Sequence, residues 1–424
     1  MTRRTINRSI AISLTTASLL VIALLIWQQT RPLIQTQHEA FVFESHPRTL
    51  GIEAKRPIVA ATVTGGLYLL SVEKTGTASS LTLRMSHDGG EHWMPPTALS
   101  TPGSVVTTSA ENAPQLAARG MYAFALWQQK SDTDETQLLA ARSSGMGAQP
   151  PVPTLVTDKP ATDKSYSGFA TLAVAPNGDV YVAWLDGRDN TSVSTGTFNV
   201  YLARSTDHGA TFHHNVKVAT LACPCCRPSV AIAADGKVYI AYRHVYGDNE
   251  RDIAVATSTD HGEHFGQPVR VANDHWKLFG CPESGPVAAA QGNKLIVAWY
   301  TATGDRPGIR LAASRDGGQT FSKELAVSNG IEGANHPYLS MADDGTIAVV
   351  FSGRQPAQHG DWNSLTPFAF RIDTKGHVSA TTHVPVDASG QRYPTASLSD
   401  DGDLYVVWSG ADATQASLIR GTSR

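Results

Sequence analysis

One short motif occurs four times in this chain and restricts its fold more than any other feature. The copies read Ser86-His-Asp88-Gly-Gly90-Glu-His-Trp93, Ser205-Thr-Asp207-His-Gly209-Ala-Thr-Phe212, Ser258-Thr-Asp260-His-Gly262-Glu-His-Phe265 and Ser314-Arg-Asp316-Gly-Gly318-Gln-Thr-Phe321. All obey S-x-D-x-G-x-[TH]-[FW]. Each residue type has a task in a tight turn. The Asp supplies side-chain-to-backbone hydrogen bonds, the Gly takes a conformation that side chains resist, and the aromatic plugs a sheet edge. Asp88, Asp207, Asp260 and Asp316 are therefore read as structural residues. Copies set about 55 residues apart, or twice that, describe a repeated supersecondary unit rather than an isolated loop.

A second recurring element is longer than the motif. An apolar, alternating strand ends in an aromatic at Trp127, Trp184, Tyr242, Trp299, Phe351 and Trp408. Each follows a Gly-containing turn or its equivalent, and before most turns lies a shorter strand opened by proline: Pro114, Pro228, Pro286, Pro337 and Pro394. Alternation bounded by Gly, Asn and Asp is the pattern of strands and hairpins. Seven repeats begin near residues 57, 114, 169, 228, 286, 337 and 394. Two have lost the full motif, keeping only Ser143-Ser-Gly145 and Arg371-Ile-Asp373. The last repeat runs out after a third strand near Ser417–Arg420, and the segment Phe41–Glu44 is expected to supply its missing outer strand.

The four motifs resemble the Asp-box, or BNR repeat, of the sialidase-like β-propeller superfamily. The resemblance implies an all-β propeller of four-stranded blades. The repeat count favours seven blades, with six, the number in sialidases, as the alternative. A repeat-built ring can hold residues 41–424 as one domain. Few charged residues (17%) beside many Thr, Ser, Gly and Ala suit short strands and turns. A net charge of −3 without basic clusters argues against nucleic acid as a partner.

The N-terminus points to the membrane. Arg3, Arg4 and Arg8 precede an uncharged apolar run from Ile10 to Trp27, long enough to cross a bilayer. After Trp27 no small-residue cleavage site follows. The expectation is a cytoplasmic segment 1–9, a transmembrane signal-anchor 10–28, a linker 29–40, and a propeller exported into the bacterial periplasm. A cleaved signal is the alternative.

Repeat order places the first-strand starts and the second-to-third loops on one face, opposite the boxes. That face collects Arg56, Tyr166, Arg227, Glu283, His336, Arg392 and Tyr393 from strand starts, and Asp186, Arg188, Arg243 and Arg354 from second-strand ends and loops. Converging guanidinium groups suit a planar anion, so Arg188, Arg227, Arg243, His336, Arg354 and Arg392 are the expected ligand residues. The resemblance also implies an enzymatic alternative. Sialidases hold a carboxylate with three arginines and use a Tyr paired with a Glu, plus an acid/base Asp. Glu283, Tyr393 and Asp186 are the candidates for such roles. Arg392-Tyr393-Pro394 has the form of the sialidase R-I-P element, but it lies in the last repeat instead of the first.

All four cysteines fall in Cys223-Pro-Cys225-Cys226 and Cys281, each just before a first strand in adjacent repeats. An exported chain with an even count favours disulfides: one from Cys225 or Cys226 to Cys281, with the remaining pair bridged to each other. The other reading is a thiolate site for copper or zinc, helped by His244 or His275, or redox chemistry. No cofactor is needed for the fold. The leading expectation is a membrane-anchored, non-catalytic propeller that binds an anionic small molecule, a glycan or a partner protein. An exo-sialidase or related glycoside hydrolase comes second, and the metal or redox protein third.

Overall fold

The computed structural model describes residues 35–62, 65–75, 78–109, 111–130, 136–143, 151–160, 162–189, 196–304, 307–355, 365–387, 393–409 and 415–423. Apart from one 3-10 turn at Gly247–Asn249, the regular elements among them are strands. The expected span at 10–28 lies outside the described residues. Among those described, no helix is long and apolar enough to cross a membrane.

The described strands fall into seven successive antiparallel meanders. Their first strands are Lys55–Ala61, Gln115–Arg119, Ser167–Val174, Ser229–Ile232, Val287–Gln291, Glu332–Met341 and Thr395–Leu398. The fifth meander shows the plan. Val287–Gln291 pairs with Lys294–Thr301, which pairs with Gly308–Ser314, which pairs with Leu325–Ala326. Alternation sends every second side chain of a strand to one neighbour and the rest to the other, so apolar residues are needed on both faces. That is why Trp127, Trp184, Tyr242, Trp299, Phe351 and Trp408, at the ends of the second strands, are all buried. Core clusters accordingly lie between successive meanders, as where Tyr239, Val255, Leu295 and Trp299 pack together.

The box corners are nearly superimposable in their bonding. Ser205 Oγ donates to Asp207 Oδ1 at 2.7 Å, while Asp207 Oδ1 accepts from Thr211 N at 2.9 Å. Gly209 N donates to Ser205 Oγ at 2.8 Å. The same set recurs around Asp88, Asp260 and Asp316. In the third copy Gly262 has φ +89°, and a Cβ there would stand 2.7 Å from Leu202 of the preceding meander. The turn therefore needs glycine both for conformation and for close approach. The aromatics Trp93, Phe212, Phe265 and Phe321 pack against the clusters beside them.

The last meander takes its outer strand from the start of the chain, since Phe41–Phe43 pairs antiparallel with Gly421–Ser423. Gln35–Glu39, expected to be linker, forms a strand parallel to Val378–Ala380 of the sixth meander. First and last meanders meet directly: Ala61 N donates to Ser397 Oγ at 2.8 Å, and Thr395 Oγ1 to Pro57 O at 3.1 Å. The first strands of all seven meanders line a single cavity of about 570 Å³, in whose wall alanine is the commonest residue.

Candidate functional site

At the first-strand starts the backbone does something unusual. Arg56, His336 and Tyr393 have φ of +52°, +53° and +58°, and each immediately precedes a proline. A left-handed backbone is costly for a residue with a Cβ, and proline further restricts the residue before it. All three side chains line one cavity of about 40 Å³, together with Glu111 and Arg227. They come from different meanders, so the cavity is a junction and not a feature of one hairpin. It lies against the ends of the first strands at Ile58, Gln115, Tyr338 and Thr395.

Glu111 is its buried centre. Its Oε2 accepts from Gly285 N at 2.7 Å and Arg227 N at 3.2 Å, while Arg227 Nη1 donates to the Glu111 carbonyl at 3.2 Å. Gly285 must be glycine, because a Cβ there would sit 2.0 Å from Arg227 O. Burial works against the ionised carboxyl. His336, the Arg227 charge and the Gly285 amide outweigh it and hold the pKa below the usual range. His336 Nδ1 stands 3.8 Å from Glu111 Oε1, too far for a hydrogen bond, and among the described residues this buried atom has no hydrogen-bond partner. The His336 ring lies 3.9 Å from that of Tyr393, and the Arg56 guanidinium caps the other ring at 3.7 Å. Burial, with Glu111 and Glu283 nearby, raises the Tyr393 hydroxyl pKa, and burial lowers that of Arg56. The result is a small polar mouth with cationic groups, one locked carboxylate and one aromatic shelf.

Of the residues expected from the sequence, Arg227, His336 and Tyr393 line this mouth, and Glu283 lies near enough for its charge to act on Tyr393, whereas Glu111 was not singled out. The signal was available: Glu111 lies three residues before Pro114, close to the place Arg56 and His336 occupy before their prolines. Asp186 and Arg188 are instead joined to each other in the third meander. Asp186 is fully buried, accepting from Ser167 Oγ, Trp184 Nε1 and Arg188 N. Arg188 also binds Asp158 at 2.6 Å and lies over Tyr201. Arg243 is buried too, donating to the carbonyls of Arg251, Ser284 and Tyr300, so it ties the fourth meander to the fifth. Arg354 is 3.8 Å from Glu332. Arg392 lies outside the described residues.

The cysteine cluster flanks the same junction. Cys225 and Cys281 form a disulfide, whereas Cys223 and Cys226 are buried thiols and not the expected second bridge. The sulfurs of Cys223, Cys225 and Cys226 all lie within 4.8 Å of one another. With Cys225 in the bridge, two soft donors remain, so a copper or zinc site would need the bridge reduced. The cation beside the thiols is Arg251, whose Nη1 is 3.3 Å from Cys223 Sγ. His275 pairs with Glu250, and His244 packs at a tilt against Tyr246. A hydrogen bond from Cys226, with the Arg243 and Arg251 charges, brings the Cys223 thiol down to about 6. Burial, with Cys223 close by, pushes Cys226 well up.

Repeated Asp-box corners on an all-strand frame define the class as sialidase-like Asp-box β-propellers. The chain belongs to the BNR repeat-like domain family, which it matches over residues 122–406. No curated protein matches the sequence. Among solved structures it is similar to a protein of unknown function from Dyadobacter fermentans DSM 18053, at 14% identity over 92% of this chain and 98% of that one, TM-score 0.46. It is similar to a Hadza microbial sialidase at 16% identity over 72% of this chain and 66% of that one, TM-score 0.47. A Penicillium chrysogenum α-L-arabinanase complexed with arabinobiose is similar at 14% identity over 93% of this chain and 98% of that one, TM-score 0.47.

Proposed function

We propose that the chain is a seven-bladed propeller, carried into the bacterial periplasm on an N-terminal anchor, that binds an anionic group at the Arg56–Arg227 mouth without catalysis. The observation that carries this reading is the set of three strained residues before proline, all directing their side chains into one cavity. Backbone strain of this kind persists where the surroundings hold it in place, and it clusters at ligand clamps. Arg56 and Arg227 favour an anion. A space of about 40 Å³ admits a carboxylate-sized head and leaves the rest of an acidic sugar or peptide on the face above. The ring itself is supported by the seven meanders and by the contact of first with last.

The surroundings of Glu111 support a site without catalysis. Glycoside hydrolysis requires two acidic or nucleophilic groups flanking the bond that breaks. The Glu111 carboxylate is already held by two backbone amides, and Glu283 is exposed. One arrangement favours the glycosidase alternative: Tyr393 lies under the charges of both Glu111 and Glu283. A single experiment separates the two. The full-length protein in detergent is titrated calorimetrically with N-acetylneuraminate and with glucuronate, then assayed against fluorogenic sialoside and arabinofuranoside. Binding of an acidic sugar, weakened about tenfold or more by Arg56→Gln, with no turnover, is the expected result. Unchanged affinity removes this mouth as the site. Turnover lost in Tyr393→Phe overturns the non-catalytic reading.

A further inference from the structure

Four sulfurs gathered at one blade junction are more than a clamp needs. One bridge, Cys225–Cys281, already ties the fourth meander to the fifth. The other two sulfurs belong to Cys223-Pro-Cys225-Cys226, so Cys223 and Cys226 stand in C-x-x-C spacing. Cys223 Sγ lies 3.9 Å from Cys225 Sγ, beside the bridge it could attack. Arg251 supplies the positive charge that a thiolate requires, its Nη1 contacting the sulfur while also bonding Gly280 O at 2.9 Å. Cys223 and Cys226 are buried, whereas Cys281 is exposed. Two residues before it stands Phe279, 88% exposed and the most exposed large apolar side chain among the described residues.

We propose that these cysteines form a thiol–disulfide relay that passes a bridge between a buried Cys223–Cys226 pair and the exposed Cys281. In the first step the Cys223 thiolate attacks Cys225 Sγ. A Cys223–Cys225 bond forms, the Cys225–Cys281 bond breaks, and Cys281 leaves as a thiolate. In the second step Cys226, having lost its proton to solvent or to the leaving thiolate, attacks Cys223. A Cys223–Cys226 bond forms, the Cys223–Cys225 bond breaks, and Cys225 leaves as a thiolate that takes a proton from solvent. The two steps conserve electrons, because one disulfide and two thiols are present throughout. Net two-electron exchange then takes place with a partner. A cysteine dithiol on a partner protein reduces the chain through a mixed disulfide at Cys281, and a partner disulfide re-oxidises it by the reverse path. A protein partner is favoured over a small thiol because Phe279 offers an apolar contact directly beside the exposed sulfur.

The relay does not depend on the anion-binding reading, but it adjoins that site. Cys226 precedes Arg227, and Cys281 lies four residues before Gly285, the two residues whose amides hold Glu111.

The test traps thiols in the full-length protein under native, non-reducing conditions, using N-ethylmaleimide at timed intervals followed by peptide mapping of the bridges. Wild type is expected to yield both Cys225–Cys281 and Cys223–Cys226 bridges, with Cys281 alkylated progressively. Cys223→Ser should freeze the Cys225–Cys281 bridge and slow Cys281 alkylation about tenfold or more. Cys281→Ser should give a bridge within residues 223–226. Oxidation of a reduced, unfolded ribonuclease A should slow in Phe279→Ser, while reaction with dithiothreitol should not. A single Cys225–Cys281 bridge whose alkylation Cys223→Ser leaves unchanged would overturn the proposal. So would copper or zinc held by all four thiolates. If Cys223→Ser loses its near-UV circular dichroism, Arg251→Gln decides, since it keeps every sulfur: slower exchange supports the relay, and an unchanged rate rejects it.

Discussion

The box corners and the polar mouth solve one physical problem in opposite ways. Both are tight passages where the chain turns into or out of a strand, and both call on left-handed backbone. At the corners the left-handed position next to the packed neighbour is given to glycine, as at Gly209 and Gly262, and an aspartate ties down the loop amides. The same solution appears four times. At the mouth the left-handed positions are occupied by Arg56, His336 and Tyr393, each different and each used once. The corners are not free of strain, since His208 and His261, just before those glycines, are left-handed too, with φ of +58° and +60°. At the mouth, by contrast, the three left-handed residues all line one cavity.

This contrast can be broken most severely at Glu111. Glu111→Ala leaves the amides of Arg227 and Gly285 without their acceptor and removes the carboxylate charge near the Arg227 cation, and a loss of about 3 kcal/mol in urea unfolding is expected. The sign with pH follows from its lowered pKa. The stabilisation is present above the ordinary value of 4.5 and disappears as pH falls through the lower folded value, so the gap between variant and wild type should narrow in acid. Loss below 1 kcal/mol would mean that the carboxylate does not organise the junction. A corner is cheaper to damage. Asp207→Ala should cost about 1 kcal/mol, with the deficit shrinking as the pH approaches the residue's folded pKa of about 2. An unchanged melting curve would remove the box aspartates from the structural account. The smallest stability effect, and the sharpest comparison, belongs to Arg56→Gly. Relief of the left-handed backbone and the greater freedom of glycine in the unfolded chain nearly cancel, so stability should change by less than about 1 kcal/mol. Anion affinity should nevertheless fall. A large destabilisation would place Arg56 with the structural residues.

What could be read from the sequence follows the same line. The boxes, the buried aromatics at the second-strand ends and the closing strand near Phe41 were legible because each is a repeated or complementary pattern. Glu111 was not singled out because its role depends on Arg227 and Gly285, more than a hundred residues away. Asp186 and Arg188 looked like ligand residues because a charged loop does not reveal that its charges already satisfy one another. Their partners Asp158 and Asn215 come from elsewhere in the chain. The cysteines were correctly placed as neighbours, but spacing could not select Cys225 over Cys226 for the bridge, nor show that Arg251 and not a histidine would lie beside the free thiols.

The pairing of Phe41–Phe43 with Gly421–Ser423 also determines how this molecule is built and how it yields to force. Six meanders can form as the chain emerges, but until the final residues arrive Phe41–Phe43 is unpaired and the apolar faces that meet the seventh meander are uncovered. During synthesis that strand and those faces are the places where two nascent copies could wrongly join. In the finished molecule, any pull arriving through residues before Gln35 reaches the strands that lie on the sixth and seventh meanders. Tension on the N-terminus is therefore borne first by the clasp of the ring, and the molecule would open there before any single blade came apart.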